Sequence, residues 1–145
     1  MIVDDISFIK DQFSRFGNCK CVVIICQYNG GKSSSITELI HEHFGEKNTY
    51  YVTFLNQNKP GFIPGKNKLQ FGEMVQNKIV VFDEIDSEEK IDVETYLKEL
   101  IEHNFVVILT NPYGSSDNYE KEVRLFKEHE QSILPEETLF ILVKQ

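Results

Sequence analysis

The stretch VVIICQYNGGKSSSITELI, residues 22–40, decides the fold. Val22, Val23, Ile24 and Ile25 follow one another with no polar alternation, which is how a strand reads when both of its faces are covered. Asn29, Gly30 and Gly31 then form a tight-turn signal. Lys32 and Ser33 open a segment in which Ile36, Leu39, Ile40 and Phe44 share one helical face, and Gly45 is positioned to end it. A buried strand that passes through a glycine turn directly into a helix gathers backbone N–H groups at the positive end of that helix, an arrangement suited to an anion.

The spacing narrows the anion to a phosphate. The pattern G-x-x-x-x-G-K-[ST] uses glycines to bring amides to the phosphates, lysine to reach the terminal phosphates and a hydroxyl to meet magnesium. Gly30, Gly31, Lys32 and Ser33 stand in that order, with Asn29 and Ser34 as flanking contacts. Cys26 occupies the first glycine position. A small residue fits the strand exit there if its φ is negative. It reads as a buried, inert thiol, and a redox-active thiol beside Lys32 is the competing reading.

Outward from this stretch, the chain reads as alternating helices and apolar strands. Ile6, Ile9, Phe13 and Phe16 give an N-terminal helix within residues 1–17, capped by Asp4 or Asp5. NTYYVTFL (48–55) is β-branched and aromatic, hence a strand. Residues 56–68 form a loop rich in Pro, Gly, Asn and Lys, and LQFGEMVQ (69–76) has no clear type. KIVVFDEID (78–86) and FVVILTN (105–111) are buried strands, separated by a helix over 87–104 with Ser87 as its cap. A last helix over 115–131 and a strand over 138–144 follow. The expectation is one α/β domain over 1–145, with its core at 20–144: a three-layer sandwich of five parallel strands with helices on both faces.

Composition excludes several classes. The formal net charge of −8 argues against a broad basic face for nucleic acid. No apolar run is long enough to span a bilayer, and the acidic start is unlike a secretory signal, so a cytoplasmic protein without membrane contact is expected. Cys19, Cys21 and Cys26 crowd one apolar strand and read as reduced core residues rather than a disulfide framework.

Two further strand ends carry polar residues. Asp83 and Glu84 follow an apolar run, where an acid is costly without a partner. Magnesium shared with Ser33 is such a partner for Asp83, and Glu84 is placed to activate a water. An acidic cap for the next helix is the bland alternative, but Asp86 and Ser87 already serve it. Asn111 ends VVILTN, as a γ-phosphate or water contact or as plain Asn-Pro turn chemistry.

CQYNGGKS, IVVFDEID and VVILTN, in that order on successive buried strands, resemble the Walker A, Walker B and sensor-1 elements of P-loop NTPases. The similarity is to the AAA+ ATPases and the related superfamily 3 helicases, and it spans roughly residues 20–144. The resemblance implies the strand order 5-1-4-3-2, ATP with magnesium as cofactors, and hydrolysis coupled to moving nucleic acid or protein within a homo-oligomer or a larger assembly. It implies phosphate contact by Lys32 and Ser33, magnesium at Ser33 and Asp83, water activation by Glu84 and γ-phosphate contact by Asn111. No counterpart of the small helical lid of AAA+ proteins is expected after the fifth strand. An arginine finger would fall on Arg124, the one arginine besides Arg15, against the simpler reading of a solvated helix face. Phe62 and Ile63, flanked by glycines, resemble a substrate-gripping loop, with Lys59, Lys66 and Lys68 as nucleic-acid contacts, against a surface loop tucked onto the core.

His41 and His43, two apart on a helix, point to different sides and read as a solvated face rather than a metal pair. A small nucleotide or nucleic-acid kinase is a second enzymatic reading, disfavoured by the shortage of arginines to clamp a transferred phosphate. A non-catalytic nucleotide-binding or interaction module is the reading from another class.

Overall fold

Continuous apolar runs that alternate with amphipathic segments build a parallel sheet between helical layers. The computed structural model describes residues 2–3, 9, 12, 20–26, 32–53, 67–70, 72–83, 90–110, 112, 118–130, 134–135 and 137–143. The strands are β1 (Ile2–Val3), β2 (Cys21–Ile25), β3 (Thr49–Thr53), β4 (Lys68–Gln70), β5 (Ile79–Asp83), β6 (Phe105–Thr110) and β7 (Leu139–Val143). The helices are α1 (Lys32–Phe44), α2 (Lys90–His103) and α3 (Tyr119–Glu130), with a 3₁₀ turn at Glu46–Asn48. One seven-stranded sheet runs β1-β7-β2-β6-β5-β3-β4, and every pairing in it is parallel.

This corrects the expected five strands in number and in overall order, because a short strand is added at each edge. Ile2 and Val3 pair with Leu142 and Val143 of β7. They stand in a strand where the sequence predicts the start of a helix: both are β-branched and lie ahead of the Ile6–Phe16 periodicity. Of that helix only Ile9, fully buried, and Gln12 belong to the described residues. At the other edge β4 pairs with β3, Val52 opposite Leu69. Lys68, read as loop, begins this strand. Leu69 is buried between exposed Lys68 and Gln70, the alternation of a strand with one covered face. The Gln70 N–H donates to the Glu73 carboxylate at 3.0 Å, and the Glu73 N–H returns to the Gln70 carbonyl at 2.9 Å. Gly72, at φ 98°, makes that turn possible, and an edge donor is thereby satisfied within the chain.

Alternate residues of each inner strand serve opposite faces. Cys21, Val23 and Ile25 of β2 pack with Tyr96, Leu97 and Leu100 of α2 and Phe126 of α3. Val22, Ile24 and Cys26 pack with Ile36 and Ile40 of α1 and with Ile9. The two described cysteines, Cys21 and Cys26, are thus buried on opposite faces. α1 ends at Phe44 and Gly45 takes φ 90°, the stop read from sequence.

Asn104 ties α2 to the segment that enters β5. Its amide donates to the carbonyls of Val75 at 2.9 Å and Leu100 at 3.1 Å, and its Oδ1 accepts from the Lys78 N–H at 3.0 Å. Asn104→Ala removes the side-chain bonds to the partly buried Val75 carbonyl and Lys78 N–H, and unfolding in urea should show a loss of about 2 kcal/mol. An unchanged midpoint would mean that water replaces these bonds freely.

Candidate functional site

The sheet topology makes one crevice. β2 and β6 are neighbours, with Ile25 opposite Thr110. Yet α1, which follows β2, packs on the face of Val22 and Ile24. α3, which follows β6, packs on the face of Val23 and Ile25. Where adjacent parallel strands send the chain to opposite faces, a cleft opens beyond their carboxyl ends, and ligands of such sheets bind there. The Cys26 N–H donates to the Thr110 carbonyl at 2.9 Å. This carries the β2–β6 pairing one residue past β2, to Cys26 at the mouth of the cleft.

β5 completes the arrangement. Asp83, its last residue, is level with Leu109 of β6. Leu109 also pairs with Ile24 of β2, so two strand spacings separate Asp83 from Ile24, about 10 Å between backbones. Cys26, Thr110 and Asp83 therefore end three adjacent central strands on one side of the sheet. Lys32, Ser33 and Ser34 form the first turn of α1. That turn carries no acidic residue, whereas α3 has Glu120 and Glu122 in its own. The positive end of α1 is thus left without a carboxylate from its first turn.

Asn29, Gly30, Gly31, Glu84 and Asn111 lie outside the described residues, each in a segment that adjoins a described end: Gly31 before Lys32, Glu84 after Asp83, Asn111 after Thr110. Phe62 and Ile63, with Lys59 and Lys66, also lie outside them. Lys68 is exposed on β4, four strands from β2, and is not part of the cleft. Nor is Arg124 turned inward. Its side chain is 67% exposed and stands 4.0 Å from Glu128.

Among the described residues no group of three or more His, Cys, Asp or Glu is placed to hold a metal. Ser33 and Asp83, the expected magnesium pair, stand at the same end of the sheet by their backbone positions.

The solvated-face reading of His41 is corrected. Its Nε2 pairs with the hydroxyl of Tyr51 on β3 at 2.5 Å, and the two rings meet edge to face at 5.5 Å. Burial raises the Tyr51 phenol well above its ordinary pKa, a hydrogen bond with Thr37 opposes this, and the Glu46 charge adds to it. Helical spacing could not reveal this pair, since His41 meets a strand rather than its own helix. His43, by contrast, is exposed, its ring edge-on to Phe44.

Tyr96 of α2 is a second buried phenol. Its hydroxyl donates to the Glu73 carbonyl at 2.5 Å, anchoring the turn after β4. Burial first, and the Glu73 charge second, push its pKa up to about 12. A phenol that holds its proton more tightly when folded contributes stability fully below the unfolded value of about 10 and loses it as pH rises toward the folded one. Stability should therefore fall between about pH 10 and 12, with Tyr51 acting in the same direction. Urea midpoints measured across that window should fall less steeply for Tyr96→Phe than for the native chain. Equal slopes would mean that Tyr96 does not contribute to this pH dependence.

No described helix is long and apolar enough to cross a membrane. No protein-family model and no curated protein matches the chain.

Proposed function

We propose that the chain is a P-loop NTPase domain of the AAA+ and superfamily 3 helicase kind, binding ATP with magnesium and hydrolysing it within an oligomer or larger assembly. One observation carries the reading: β2, β6 and β5 end side by side at the point where the following helices diverge. Those three ends are the ones that lead into Gly30-Gly31-Lys32-Ser33, Asn111 and Glu84. Leaving aside the edge strands β1 and β4, the run β7-β2-β6-β5-β3 supports assignment to the five-stranded 5-1-4-3-2 arrangement.

In this reading Asn29 to Gly31 cradle the phosphates with backbone amides, Lys32 neutralises the terminal phosphates, and Ser34 adds a contact. Ser33 and Asp83 would hold magnesium, which when bound offsets charge on the β- and γ-phosphate oxygens. Glu84 orients the attacking water and takes its proton, and Asn111 holds the γ-phosphate or that water. Arg124, facing solvent, would serve the site of a neighbouring copy rather than its own. Phe62 and Ile63 would grip the moved substrate, and the Lys59–Lys68 loop would contact nucleic acid if that is the substrate.

Phosphate release from ATP, with magnesium present and then chelated, tests the reading. Magnesium-dependent release supports hydrolysis. Tight ATP binding with no release, in the presence of DNA or at concentrations that drive self-association, would favour binding without turnover. Cys26, at the strand exit where the pattern has glycine, is the feature that favours this second reading.

A further inference from the structure

We draw no further inference here: the strongest candidate, the groove along α3 lined by Tyr119, Val123, Arg124 and Lys127, carries nothing, because every residue that lines it stands on that one helix and nothing among the described residues shows what covers it.

Discussion

Glu84→Gln should lower ATP turnover by about 100- to 10,000-fold while leaving magnesium-ATP affinity within a few-fold of native. The amide keeps the size and the hydrogen-bonding reach of the side chain but cannot accept the water's proton. Glu84 follows Asp83 in the sequence, and Asp83, the last residue of β5, is level with Leu109 of β6; the substitution exchanges one side-chain heavy atom. Single-turnover hydrolysis, read beside a binding isotherm, separates the two quantities. A loss of affinity equal to the loss of rate would make Glu84 a binding residue. An unchanged rate would remove it from the chemistry altogether. The acid beside it is expected to behave differently: Asp83→Asn should weaken magnesium dependence first.

The largest structural effect is expected in the middle of the sheet. Phe82 of β5 is fully buried, opposite Ile108 on β6, with its ring 6.2 Å from that of Tyr96 on α2. Phe82→Ala removes this bridge between sheet and helix and leaves a cavity that neighbours on central parallel strands cannot readily fill. The expected loss is about 3–5 kcal/mol, a large part of the roughly 5–15 kcal/mol that holds a domain of this kind together. Urea unfolding followed by circular dichroism should show the midpoint fall by that amount, or show no folded baseline at all. Phe82→Leu should recover most of it, because the aliphatic side chain refills much of the space. A loss below about 1 kcal/mol would mean that the site collapses around the smaller residue.

Central strands were legible in the sequence because burial on both faces leaves an uninterrupted apolar run. Val22 to Ile25 and Val80 to Phe82 are such runs, and the structure buries all of them. The polar strand ends were legible for a related reason. Cys26, Asp83 and Thr110 each stand where an apolar run gives way to polar residues, and parallel pairing brings such ends together on one side. Edge strands were not legible. β1 has two residues and β4 has three, too few for a period of two to be distinguished from chance. Long-range polar pairs were hidden for a different reason. His41 meets Tyr51 on β3, and Asn104 reaches back to Val75 and Lys78, across folds of the chain that no local spacing encodes. The start of α3 shows the same limit at short range. The serines at 115 and 116 suggest its beginning, but Asn118 is the residue whose side chain accepts the Lys121 N–H at 3.0 Å, and the helix starts at Tyr119.

If residues 26–34 form a working phosphate site, as proposed, calorimetric titration of magnesium-ATP into the native chain and into Lys32→Ala will show it. Saturable binding by the native chain is expected, with a loss of at least about 30-fold in the variant, the scale of one charge-assisted contact removed from a phosphate. Circular dichroism should show both proteins equally folded. A folded native chain that takes up no magnesium-ATP, or a variant that binds as well as native, would contradict the proposal.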